Sequence, residues 1–146
     1  MSYSHRDLEV WQLGMDLVES VYQITAEFPT DERYGLTSQM RRASVSIPSN
    51  ISEGWGRHSN ANLANFLRIA RGSHSEMDTL IELARRLNLV SKNDFDRLSE
   101  QMAILGRKMY SFLQHIEKTV VREERKPYDQ EQLSPELVAA LATFEP

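Results

Sequence analysis

Apolar residues recur along this chain at intervals of three and four, the spacing that places them on one face of an α-helix. From about Arg6 to Glu27 two such stripes run side by side: Leu8, Trp11, Met15, Val18 and Tyr22 beside Val10, Leu13, Leu17, Val21 and Ile24. Together they make a face broader than a surface helix needs, which predicts burial on two sides, for example against a neighbouring subunit. Phe28-Pro29 ends this element, because proline disfavours helical geometry in the residue before it. A second helix is predicted from near Asp31 or Glu32, with Leu36, Met40, Ala43, Ile47, Ile51 and Trp55 on one stripe. That stripe passes straight through Pro48, which removes one backbone hydrogen bond and presses on the Ser44 carbonyl, so the pattern predicts a kinked helix. Neighbouring serines are placed to support the freed backbone groups. Gly54 and Gly56 are expected to loosen the helix end.

Ser59 or Asn60 is placed to cap a third helix, whose stripe is Leu63, Phe66, Leu67, Ala70, His74, Met77, Ile81, Ala84 and Leu87. Ser91 is placed to cap a fourth, with Asp94 favourable to the dipole of its first turn and near-heptad order through Phe95, Leu98, Met102, Leu105, Met109, Phe112 and Ile116. No strand-like alternation of useful length occurs. Four helices with short connections predict an all-α, antiparallel up-and-down four-helix bundle over residues 5–121, with a Pro-kinked second helix. From residue 122 the text turns polar. Ser134 as a cap and Pro135 at the first helical position predict a short C-terminal extension with a helix over 135–143.

Composition narrows the chemistry. A chain of 146 residues fits one domain, and with no cysteine it excludes disulfides, thiolate catalysis and Cys-ligated zinc. The N-terminus lacks a basic region followed by an apolar run, and no stretch approaches the roughly 18 apolar residues that span a bilayer. A soluble cytoplasmic protein with no membrane partner is expected. The net charge of −4 hides an asymmetry: residues 1–32 carry seven acids against one Arg, whereas residues 33–75 carry six Arg, no Lys and the single acid Glu53. Arg suits bidentate contacts to phosphate or carboxylate. Two readings of the basic block stay open, an anion-binding surface and ion pairing with the acidic block within a bundle or between subunits.

Catalytic and metal-binding patterns are missing. No Glu-x-x-His motif of di-metal bundles occurs, and His5, His58, His74 and His115 are scattered. His74 lies on an apolar stripe, where a satisfied interior histidine is the simpler reading. The serines of 44–52 sit on no strand–turn–helix elbow, and Gly54-Trp55-Gly56 has neither the spacing nor the lysine of a phosphate-binding loop. Asn50-Ile51-Ser52 matches a glycosylation sequon without a secretory context. No catalytic residue, cofactor, metal or small-molecule substrate is predicted, and the protein is expected not to be an enzyme. What remains is recognition. Arg41, Val45, Pro48 and Ser52 fall on the face of the second helix away from its core stripe, at 100° per residue. Val45, Pro48 and Ser52 are the candidate subunit interface. Arg41, Arg42, Arg57, His58, Arg68 and Arg71 are the candidate contacts to a phosphate backbone or a partner.

One further feature of the text is its resemblance to a known family. It is carried by Asp7-Leu8 with Val10-Trp11, by Phe28-Pro29, and by Tyr34-Gly35-Leu36-Thr37-Ser38-Gln39-Met40-Arg41-Arg42. Ser46-Ile47-Pro48-Ser49-Asn50-Ile51, then Glu53-Gly54 and Gly56-Arg57, complete it. Over roughly residues 5–121 the chain resembles the four-helix-bundle proteins encoded by intervening sequences of bacterial 23S rRNA genes, the S23 ribosomal protein family. It is also similar to the accessory protein of diversity-generating retroelements. The resemblance implies a homopentameric ring of up-down bundles. Its implied partners are RNA or a nucleic-acid-processing protein, met at Arg41, Arg42, Arg57, Arg68 and Arg71. This chain departs from the basic character of ribosomal proteins in being acidic overall.

Overall fold

The computed structural model describes residues 3–125. It contains four α-helices, α1 (Glu9–Thr25), α2 (Leu36–Gly56), α3 (Asn60–Arg86) and α4 (Lys92–Glu124), and no strand among the described residues. The expected helix over 135–143 lies outside the described residues.

Caps decide where the helices begin. Ser59 accepts the Asn62 N–H at the head of α3, and Ser91 accepts the Asp94 N–H at the head of α4. Two starts differ from the sequence pattern. Ser4 forms a capping box over a 3-10 turn at His5–Asp7, and Leu8 is extended, so α1 starts at Glu9 and not at Arg6. Thr30–Glu32 likewise form a 3-10 turn, and Glu32 reaches forward to accept the Leu36 N–H at 3.1 Å. Of the acidic pair that looked like a helix start, Glu32 thus satisfies the first N–H of a helix that begins at Leu36.

Side-chain contacts fix the topology. Gly14 on α1 meets Pro48 on α2, while Thr25 accepts a hydrogen bond from Arg41, so residue numbers rise on α1 as they fall on α2. Ser46 and Ser73 share a 2.8 Å hydrogen bond and Gly54 abuts Phe66, which sets α3 antiparallel to α2. Asn60 donates to Glu123 at 2.6 Å and His74 bonds to the Met102 carbonyl at 2.7 Å, which does the same for α4. Lys108 on α4 pairs with Glu9 on α1 at 3.4 Å and closes the ring of four. Leu17, Met40, Ile47, Ile51, Leu67, Met77, Leu105 and Ile116 are fully buried between the helices, each contributing roughly 1.5–3 kcal/mol of transfer free energy. Leu87, predicted on the α3 stripe, is exposed because α3 ends at Arg86; Ala64 and Leu80 are buried in its place.

Helix α2 runs continuously through Pro48. The proline ring is buried, with its Cβ and Cδ each 3.5 Å from where a Cβ on Gly14 would stand, so α1 covers it within the chain. Ser44 is also buried, and its hydroxyl donates to the Arg41 carbonyl at 2.9 Å. Gly54 does not loosen the helix. It is buried inside α2 and lets α3 approach, since a Cβ there would stand 2.7 Å from the Cβ of Phe66.

Candidate functional site

Three neighbouring pieces of chain build one open groove of about 560 Å³. Helix α2 supplies Thr37, Ser38, Arg41, Arg42, Val45 and Ser46, α1 supplies Tyr22, and the connection before α2 supplies Arg33 and Tyr34. The α2 residues face this way because the core stripe claims the opposite side of the helix. Tyr22 belongs to the outer of the two α1 stripes and is 44% exposed, while Tyr34 in the connection is 89% exposed.

Two arginines of the groove lie over aromatic rings. The Arg41 guanidinium carbon sits 4.5 Å from the Tyr22 ring centre, and that of Arg33 sits 5.6 Å from the Tyr34 ring centre. Thr25 fixes Arg41 further: its hydroxyl donates to the Val21 carbonyl at 2.7 Å and accepts from Arg41 Nε at 3.0 Å. No carboxylate lines the groove, and Arg33, Arg41 and Arg42 enter no ion pair among the described residues. At its α3 edge Ser46 is tied to Ser73 and receives Asn50 Nδ2 on both its carbonyl and its hydroxyl. The result is a concave cationic surface with π faces and hydroxyls, able to hold an anion and a flat ring together.

The six candidate contacts do not form one patch. Arg41 and Arg42 share the groove. Arg57 lies 16 residues further along α2, about 24 Å at 1.5 Å per residue. It pairs with Glu53 at 3.0 Å and covers the Phe66 ring. His58, beside it, takes the left-handed conformation with φ of 53° that turns the chain toward α3. Arg68 is held by Glu117 on α4 at 3.0 Å and by Asn65 at 2.8 Å. Arg71 lies over the Tyr110 ring, whose hydroxyl accepts from Gln114. Of the candidate interface residues, Val45 is 37% exposed and Ser52 half-buried, but Pro48 is already covered by α1. Tyr22, Thr25, Arg33 and Tyr34 were absent from the sequence-derived candidates. Their one signal was Tyr22 on the outer stripe and Arg33-Tyr34 just ahead of the second helix.

Among the described residues no three His, Asp or Glu side chains gather closely enough to hold a metal ion. His74 is half-buried and hydrogen-bonded: the Met102 carbonyl can only accept, so His74 Nε2 carries the proton. Its ring packs where a Cβ on Gly106 would stand, 2.9 Å from Cε1. No helix among the described residues is long and apolar enough to cross a membrane.

Fold and groove together define an antiparallel four-helix-bundle protein with a cationic, tyrosine-bearing face on its second helix. Residues 6–111 match the family model for the 23S rRNA-intervening sequence protein, and the chain belongs to that family. Among solved structures it is similar to a protein of unknown function from the S23 ribosomal protein family of Bacteroides thetaiotaomicron, with a TM-score of 0.64 and 19% identity. The match covers 71% of this chain and 97% of the other. At that identity the likeness shows the shared fold. No curated protein is significantly similar to the chain.

Proposed function

We propose that this protein is a non-enzymatic, self-assembling helical scaffold that binds RNA through the groove on α2. The observation that carries the reading is the set of three groove arginines, two lying over tyrosine rings and none opposed by a carboxylate. A guanidinium on a ring keeps its charge and its free N–H edges for phosphate. Assembly, into pentamers by the sequence resemblance, is supported by the outer α1 stripe, where Met15 is 38% exposed.

Titration of a fluorescently labelled structured RNA at low salt, followed by anisotropy, tests the binding claim. Arg41→Ala with Arg42→Ala should weaken binding at least tenfold and lower the slope of log affinity against log salt by about 2. Arg68→Ala should cost less, because Glu117 already holds that guanidinium. No binding at low salt, or a double variant that binds like the wild type, overturns the reading. Light scattering that finds a stable monomer at micromolar concentration overturns the assembly claim.

Arg57–Glu53 and Arg68–Glu117 favour a structural role for these two arginines, as ion pairs on the surface of the bundle.

A further inference from the structure

Resting on the RNA reading of the groove, we propose that it selects single-stranded RNA, stacking an unpaired base on Tyr34 while Arg41 and Arg42 take the flanking phosphates. Tyr34 is the observation behind this. It is 89% exposed, the most exposed large side chain of its kind among the described residues, and it sits in the connection that forms one wall of the groove. An aromatic ring left in water forgoes the burial that ordinarily stabilises it. Arg33 orders this ring by lying 5.6 Å from its centre, and at 89% exposure the rest of the ring stays open to a flat partner. Across the groove Arg41 is held from two sides, by the Tyr22 ring and the Thr25 hydroxyl, and Arg42 enters no ion pair. The arrangement therefore offers a π face and fixed cations within one open depression of about 560 Å³.

A duplex cannot use both halves of that arrangement. Its base faces are stacked inside the helix, so it offers the groove phosphates, sugars and base edges but no base face. A single strand can splay a base onto an aromatic side chain, a contact that tolerates sequence because every base has a π face. Stacking of this kind changes affinity roughly tenfold or more per base on removal of the ring. The prediction is discrimination by strandedness, with little preference among bases.

Anisotropy titrations with a labelled eight-nucleotide single-stranded RNA and with the same sequence as a blunt RNA duplex supply the test. The wild type should bind the single strand at least tenfold tighter. Tyr34→Ala should remove about tenfold from the single strand and leave the duplex unchanged, while Tyr34→Phe should retain the wild-type preference. Tyr34 lies outside the core, so a melting curve matching the wild type accompanies each variant. If both RNAs bind equally, or Tyr34→Ala leaves the single strand unaffected, while the Arg41→Ala, Arg42→Ala variant still loses binding, strand selection is overturned and the RNA reading stands. If neither RNA binds at low salt, both are overturned.

Discussion

Replacing Gly54 by Ala places a methyl group where α2 and α3 touch. The new Cβ would stand 2.7 Å from the Cβ of Phe66, 3.2 Å from Leu63 Cδ1 and 3.3 Å from Leu63 Cα. Carbon atoms prefer a separation of roughly 3.5–4.0 Å, so the first contact is close to 1 Å too short. Neither Phe66 Cβ nor Leu63 Cα can swing away, since both are fixed to the α3 backbone; relief requires the helices to part. Overpacking of this kind costs about 1–3 kcal/mol, against a gain of about 1 kcal/mol from replacing glycine inside a helix. With the rigid neighbours placing the clash near the upper end, the net effect is a loss of about 1–2 kcal/mol and a fall in Tm of about 3–8 °C. Gly72 in α3 is the matched control, because a Cβ there meets nothing within 4 Å. Gly72→Ala should stabilise the protein by about 0.5–1 kcal/mol. Thermal denaturation followed by circular dichroism compares the two, at one protein concentration because self-association raises apparent stability. A Gly54→Ala variant that melts at or above the wild type, beside a Gly72→Ala variant that is stabilised, would refute close helix approach at Gly54.

Two further outcomes follow from the packing and the charges. His74→Ala leaves the Met102 carbonyl without its side-chain donor and a hole beside Gly106, and should destabilise by about 1–3 kcal/mol in the same melts; a change under 0.5 kcal/mol would rule out the hydrogen bond. Glu82 accepts hydrogen bonds from Arg85 and Arg86, which lower its pKa from 4.5 to about 2. A depressed carboxylate supports the fold above its unfolded pKa, so the support for the end of α3 is complete above 4.5 and disappears as pH falls through about 2. Carboxyl carbon NMR should follow that midpoint, with Arg85→Ala raising it; a wild-type midpoint at 4.5 would contradict the pairing.

The periodic part of this fold was legible and the reciprocal part was not. The stripe from Leu36 to Trp55 is buried in full and survives the proline, because spacing on one helix is a local property of the text. Helix starts were misjudged where a side chain reached across the boundary: Asp7 back to Ser4, Glu32 forward to Leu36. The Arg57–Glu53 pair, four residues apart on a helix, was in principle readable. Arg68–Glu117 spans 49 residues, and no local rule joins its partners. The groove failed to appear for the same reason, since Tyr22, Arg33 and Arg41 meet only after α1 and α2 fold back on each other. Pro48 shows the converse error. Counting 100° per residue put it on the outer face, but α1 packs on that face and Gly14 makes the room.

What divides the arginines is the nature of the group beside each one. A carboxylate, as at Arg68 and, together with a ring, at Arg57, orders the guanidinium and offsets its charge. A ring, as at Arg33, Arg41 and Arg71, orders it and leaves the charge in place. An incoming anion then meets a cation whose side-chain entropy is already partly spent, which favours binding without any change in the number of charges. The acidic balance of the whole chain, −4, does not oppose this. At physiological ionic strength the Debye length is about 8 Å, so acids farther than that from the groove are largely screened from it. The local arrangement of Arg33, Arg41 and Arg42 sets the field an approaching phosphate meets. Arg71 on Tyr110 repeats the ring-held geometry on the α3–α4 surface, where Arg85 also lies over a ring, that of Phe95, but is paired with Glu82 as well.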